Sequence, residues 1–390
     1  MTKMIYVDNA ATTRVLPEVL SAMEPYLHEN YGNPSSVHKL GMLAGNAVLA
    51  ARKRMAEALS CYPDEIIFTS GGTEADNAAI IGAVLASTKK GIITSQIEHP
   101  AVLNTCGFLE KMGYRVSRIG ADPDGLVQMD QLVHAITDDT ALISVMMVNN
   151  ETGVIQPYAD IGQLAGKHAA LYFCDAVQGI GAVPFQFSTS PVDLLSLSGH
   201  KLGAPKGIGA LIVRRGTRLH PFLHGGGQER GLRSGTENVA GIVGLSVAVE
   251  MAMESGCHSD VLKMKQQLIS CVSQIPHSHI NGSLEHTIPG TLNVSFDYVN
   301  GYDLVSFLSA KGICASSSSA CASSTGKPSH VLSAMGCSPE RAGGSLRFSV
   351  NRFNTMEEIQ SICEILPQAV QILRKQNPSY VHRKGADTDE

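Results

Sequence analysis

From Glu65 to Val213 the chain repeats one unit: a short apolar run, a turn rich in glycine, asparagine or serine, then a stretch with helical apolar spacing. The runs are Ile66–Thr69, Gly91–Ser95, Tyr114–Ile119, Ala141–Val148, Leu171–Cys174, Val192–Leu197 and Ile208–Val213. Helical spacing lies between them, through Leu85, to Lys111, over Met129–Ile136 and over Ile161–His168. Short apolar strands alternating with helices predict an α/β fold, with a largely parallel central sheet covered by helices. Before the repeat, Leu16–Glu29 is expected to be helical. Val37–Leu59 reads as one long amphipathic helix, its apolar positions recurring three and four apart.

The pattern changes after Gly225. A Gly/Arg loop, Gly225–Asn238, leads into a helix to about Met253. A helix from Asp260, the run Thr291–Phe296 and the stretch Gly343–Val350 then suggest a smaller α+β domain. The expected division is a large α/β domain over 16–260, and a small domain made of 1–15 and 261–375. The polar stretch 376–390 is expected to be frayed. At 390 residues the length allows two domains.

With 30 basic and 35 acidic residues, the net charge of −5 argues against a mainly electrostatic nucleic-acid binder. The N-terminus has no apolar segment long enough for a signal peptide, and no run approaches a membrane span. The nine cysteines show no CxxC spacing, which fits reduced thiols and a cytoplasmic protein. No HExxH or paired-cysteine spacing supports a metal site.

Four segments carry candidate chemistry. SGGTEADN, Ser70–Asn77, joins a strand to a helix; Gly71, Gly72 and Thr73 there suit either an anion site or a simple helix cap. Asp175 ends an apolar strand, where it reads either as the acid that holds a pyridine nitrogen protonated or as a helix N-cap. Lys201, in SGHKLGAPKG directly after an apolar run, is a candidate Schiff-base lysine or a solvated loop lysine. His99 follows a strand, where an imidazole stacks on a flat ring or serves structure. Taken together, an amine, a carboxylate and a phosphate cradle are the set that pyridoxal phosphate needs.

These residues also carry a family resemblance over about 4–375. The chain resembles the cysteine desulfurases, in the class V aminotransferase branch of the fold type I pyridoxal-phosphate enzymes. The segments are VDNAATT, GNPSSVH, FTSGGTEADN, EHPAVL, VNNETGVIQP, DAVQG, SGHKLGAPKGIGAL, HGGGQERGLRSGTEN, SSSSACASSTGKPSHVL and SLRFSVNRFN. NNETG with GGGQERGLRSGTEN is more similar to the nitrogenase-associated type than to the housekeeping iron–sulfur type. Such enzymes take sulfur from L-cysteine, leaving L-alanine and an enzyme persulfide. The resemblance implies that Lys201 attaches the cofactor, His99 stacks on its ring, Asp175 pairs with the ring nitrogen and Gln178 bonds the ring hydroxyl. Thr73, Ser198 and His200, with the backbone at Gly72, would hold the phosphate. It further implies that Thr236 reaches the neighbouring subunit's phosphate in a homodimer, and that Asn150, Arg347 and Asn33 orient substrate.

Cys321, in the small-residue stretch 315–330, is by the same resemblance the persulfide carrier. A mobile, accessible loop suits a thiol that must collect sulfur and carry it out. The implied acceptor is an iron–sulfur scaffold or another sulfur-acceptor protein. A selenocysteine lyase, another class V aminotransferase and a sulfur-relay scaffold without turnover are the competing readings.

Overall fold

The computed structural model describes residues 4–254, 258–317 and 328–380. Thirteen strands are numbered along the described chain: β1 Ile5–Tyr6, β2 Ile66–Thr69, β3 Gly91–Ser95, β4 Arg115–Ile119, β5 Thr140–Ser144, β6 Leu171–Asp175 and β7 Leu194–Ser198, then β8 Gly209–Val213, β9 Ser278–Asn281, β10 Thr291–Phe296, β11 Ile313–Cys314, β12 Ser316–Ser317 and β13 Ser345–Ser349. Strands β2 to β8 form a seven-stranded sheet in the order β2-β8-β7-β6-β5-β3-β4. It is parallel from β7 to β4, while β8 runs antiparallel to both β7 and β2. The expected mostly parallel α/β sheet is therefore present. Because β2 and β7 oppose the same strand, β2 ends at the same edge as the parallel strands.

Burial explains why these runs are strands without alternation. Every residue of β2, β3, β5, β7 and β8 is buried, as expected when helices cover both faces. One apolar core, around Phe68, Ile143, Tyr172 and Leu197, packs beneath the helices Lys39–Leu59 and Val239–Glu254. The other face packs Ile67, Ile92, Leu142 and Phe173 against the helices Gly72–Leu85 and Pro100–Lys111.

A second sheet has the order β12-β13-β10-β9 and is antiparallel throughout. Its own core gathers Leu292, Val294, Phe296, Leu346 and Phe348 with the helices His258–Ser273, Gly301–Ala310 and Met356–Gln376. The N-terminal strand joins this unit: β1 pairs parallel with β11, and Val7 is fully buried in the same core.

Two expectations need correction. The helix expected over Leu16–Glu29 is broken into Pro17–Met23 and Pro25–His28, because Pro25 has no N–H to continue the ladder. The strand expected over Ala141–Val148 stops at Ser144. Beyond it the chain stays alongside β6, with Val145 N–H bonding Phe173 O and Met147 N–H bonding Asp175 O, until it turns and Val148 bridges Ile155. Apolar content is the same on both sides of that turn, so periodicity does not reveal it. Among the described residues, no single helix is long and apolar enough to cross a membrane.

Candidate active site

A cavity of about 350 Å³ opens where the strand ends of the large sheet meet the small sheet. Its lining brings together Gly72, Thr73, His99, Asn150, Asp175 and Gln178 with Ser198, His200, Lys201 and Arg347. These ten come from six separate segments. Strands β2, β3, β5, β6 and β7 end at one edge and each hands over to a loop that supplies its residue; β13 supplies Arg347 from the other side. Ligands in open α/β sheets bind at such carboxyl edges.

At the end of β2 the chain enters a helix through Gly71, with φ 156° and ψ −177°, a region essentially reserved for glycine. A Cβ on Gly72 would stand 2.9 Å from Val177 Cγ2 and 3.5 Å from Ser198 Cβ. The helix Gly72–Leu85 has no side-chain cap, so its first N–H groups suit an anion.

Asp175 is buried, and its Oδ1 accepts the Val177 N–H at 2.9 Å. Burial pushes its carboxyl up, while that N–H, His99 when protonated, and the Lys201 charge pull it back. The Nδ1 of His99 accepts the Ala101 N–H at 3.1 Å, so the neutral ring carries its proton on Nε2. Burial lowers the His99 pKa, helped by Lys201 and His330 and opposed by Asp175. Lys201 Nζ donates to Ala10 O at 2.6 Å and Ala11 O at 2.8 Å. Gln178 Nε2 also donates to Ala10 O, at 3.0 Å. The N-terminal strap thus forms one wall and orients both side chains. His200 Nδ1 lies 3.1 Å from Thr12 Oγ1, and burial beside Lys201 and Lys206 holds His200 neutral, its pKa lowered to about 4.

On the opposite wall Arg347 Nη1 donates to Asn150 O at 2.8 Å, and Nη2 to Asp8 Oδ1 at 2.9 Å. Its buried Nε has no hydrogen-bond partner among the described residues. This guanidinium is held in position with a donor left over.

Three acidic residues of the cavity wall were not singled out from sequence: Asp8, Asp76 and Glu151. Each lies inside a segment already quoted, VDNAATT, SGGTEADN or NNETG, so the signal was position within a motif. Asp76 accepts from Ser196 Oγ at 2.6 Å, and burial followed by the Asp175 charge raises it well above the carboxylate range. Glu151 accepts from Ser329 Oγ at 2.5 Å and is pushed by burial up to about 7. Glu98, beneath the wall, is pushed by burial up to about 8 and accepts from Ser95 Oγ and Met146 N–H.

Two expected residues do not line the cavity of their own chain. Thr236 is exposed between Arg233 and the helix Val239–Glu254. Asn33 is exposed, with Oδ1 accepting the Ser35 N–H. Cys321 lies outside the described residues.

Comparison with known proteins agrees with this geometry. The aminotransferase class-V family model matches residues 5–362. The chain is 48% identical over 380 residues to the cysteine desulfurase IscS of Methanosarcina thermophila, spanning 96% of this chain and 94% of that protein. It is 46% identical over 379 residues to a cysteine desulfurase of Trichormus azollae, spanning 96% and 95%. A solved NifS-like protein superposes with a TM-score of 0.89 at 38% identity, covering 95% of this chain and 100% of that one. A structure of SspA in complex with cysteine superposes with a TM-score of 0.80 at 39% identity, covering 89% and 98%. The chain belongs to the aminotransferase class-V family.

Proposed function

We propose that this chain is a cysteine desulfurase that uses pyridoxal phosphate, releases L-alanine from L-cysteine and keeps the sulfur as a persulfide on Cys321. The observation that carries the reading is the single cavity that gathers Lys201, Asp175, His99 and Arg347 beside an anion cradle. The cavity suits this cofactor on its own chemistry. A glycine cradle at an uncapped helix start matches a phosphate, a buried carboxylate matches a ring nitrogen, and a lysine beside it matches an aldehyde. The phosphate would be held by the Gly72 and Thr73 N–H groups, Thr73, Ser198 and His200. His200 neutral, with its pKa near 4, donates a hydrogen bond there without adding charge.

Bound pyridoxal phosphate supplies the electron sink for charge developing at the substrate α-carbon. The protein supplies position and proton traffic. Asp175 would pair with the ring nitrogen; burial raises Asp175, Asp76 and Glu98 alike, and of the three only Asp175 is drawn back by His99 and Lys201. Lys201 Nζ serves as attachment amine and then moves the substrate Cα proton. His99, with its proton on Nε2, is the second acid–base group within the cavity. Arg347, preset by Asp8 and Asn150 O, takes the substrate carboxylate. The Cys321 thiolate attacks the substrate sulfur, the C–S bond breaks with its electron pair going to the substrate carbon, which takes a proton and leaves as L-alanine, and the persulfide remains for an acceptor. That acceptor is an iron–sulfur scaffold or a similar sulfur-accepting protein, and the enzyme works in the cytoplasm.

We also infer a homodimer. Leu20, Leu27, Tyr31, Val37, Met42 and Leu49 are exposed along one stretch of sequence, an apolar concentration that a second copy would cover. Asn33 lies in the same stretch, and Thr236 is exposed, which supports the Thr236 role across such an interface. The test of the activity is alanine and sulfide release from L-cysteine with a thiol reductant. Equal yields from wild type, with neither product from Cys321→Ala or Lys201→Ala, are expected. Full alanine release by Cys321→Ala would remove the persulfide role and favour a lyase or transaminase.

A further inference from the structure

We propose that Cys271 and Cys363 form a redox modification site, a thiol pair that peroxide closes into a disulfide remote from the catalytic cavity. Cys271 sits in the last turn of the helix His258–Ser273, and Cys363 in the second turn of the helix Met356–Gln376. The two helices pack side by side over the small sheet's core, with Cys271 buried and Cys363 half-buried.

The sulfurs interlock. Cys271 Sγ lies 3.7 Å from the carbonyl oxygen of Cys363, while Cys363 Sγ lies 3.9 Å from the carbonyl oxygen of Gln267, one turn before Cys271. Each sulfur therefore reaches the backbone of the facing helix at the level of the other cysteine, which sets the two thiols against each other across the helix contact. Cys106 and Cys174, by contrast, are buried in or against the large sheet, with their thiols pushed up by burial.

The pair is also asymmetric in the way stepwise oxidation requires. The neighbouring Cys271 thiol draws the Cys363 thiol below its ordinary range, while Cys363 and burial push Cys271 above it. Cys363, half-buried, is the thiol that peroxide reaches first, and buried Cys271 is the resolving thiol. The Cys363 thiolate attacks a peroxide oxygen, the O–O bond breaks, and the sulfur becomes a sulfenic acid as hydroxide leaves. Cys271 sulfur then attacks that sulfur; the S–S bond forms, the S–O bond breaks, and the hydroxyl leaves as water with the Cys271 proton. Two thiols are oxidised to one disulfide, and one hydrogen peroxide is reduced to two waters. The bond would staple the C-terminal helix to its neighbour and close a loop that contains β10, β13 and Arg347.

The test uses the cofactor-loaded full chain, treated with stoichiometric hydrogen peroxide, alkylated under denaturing conditions and digested without reductant. Mass spectrometry should find the Cys271 and Cys363 peptides joined, lighter by two hydrogens than the reduced pair and separated again by dithiothreitol. Cys363→Ser should abolish the joined species and leave Cys271 alkylated, with a melting temperature matching that of the reduced wild type. Recovery of both wild-type peptides fully alkylated after a large excess of peroxide would overturn the proposal. So would Cys363 carried to sulfinic acid with Cys271 still alkylated.

Discussion

Glu98 holds its proton through the neutral range because burial removes the water that would solvate its charge; its pKa is raised to about 8. A carboxyl raised above its unfolded value near 4.5 is bound more tightly to its proton in the folded state. Its contribution is whole below that pH and is lost as pH rises towards 8, at up to about 1.4 kcal/mol per pH unit between them. Urea unfolding of wild type and Glu98→Gln from pH 5 to 8 (a window of about 3 units, set by these pKa values) checks this. Wild type should lose stability relative to the variant as pH rises, and parallel curves would show Glu98 already ionised. A second residue-scale prediction concerns Arg347. Its Nη1 and Nη2 are engaged by Asn150 O and Asp8, leaving a planar fork preset for a carboxylate. Arg347→Lys keeps the charge but loses the fork. KM for L-cysteine should rise roughly 10–100-fold, the scale of one or two charge-assisted bonds, with the cofactor absorption spectrum little changed. Steady-state kinetics beside a spectrum of the loaded enzyme decides it.

The decisive element is the β2-to-helix turn. Gly71 sits at φ 156°, while a Cβ there would meet only Ser198 Oγ, at 3.9 Å, so Gly71→Ala tests backbone conformation rather than crowding. It should cost about 1–3 kcal/mol and weaken pyridoxal-phosphate binding, read by fluorescence titration of the apo protein and by thermal melts with and without cofactor. Melts that fall equally with and without cofactor would mean the turn serves folding alone. The same element shows how far sequence reaches. SGGTEADN was legible as a turn between strand and helix, and β2 was expected at the residues where it stands. What could not be read is that this turn lies against Ser198 and Val177, two segments over a hundred residues away. Local spacing carries the dihedral preference, and long-range packing carries the close approach. The break at Pro25 is local chemistry that the chain displays openly, whereas the early end of β5 depends on the Val148 bridge to Ile155.

For the whole molecule, the exposed apolar stretch from Leu20 to Leu49 bears on assembly. Val37 is 93% exposed, so Val37→Glu should leave the monomer fold intact yet shift the assembly towards monomer. Light scattering across a dilution series measures this; an unchanged dimer would place the interface elsewhere. Activity should fall with the dimer fraction if Thr236 serves the neighbouring cavity.

Sequence by itself determined the α/β class, most strand positions in the large sheet, and the cavity's lysine and aspartate as candidates, while the arginine and the role of the histidine came from the family resemblance. It could do so because burial on both faces imposes unbroken apolar runs, and because motif glycines and the lysine are chemically distinctive. Tertiary structure alone decided that β8 reverses direction, that β1 pairs with β11, and that Asp8 holds Arg347. It alone brought Cys271 against Cys363 and buried Asp76, Glu98 and Glu151 around the site. Those outcomes rest on contacts between distant segments and on desolvation. Neither leaves a periodic trace in the chain, because the energy of a buried charge depends on what surrounds it and not on its neighbours in sequence.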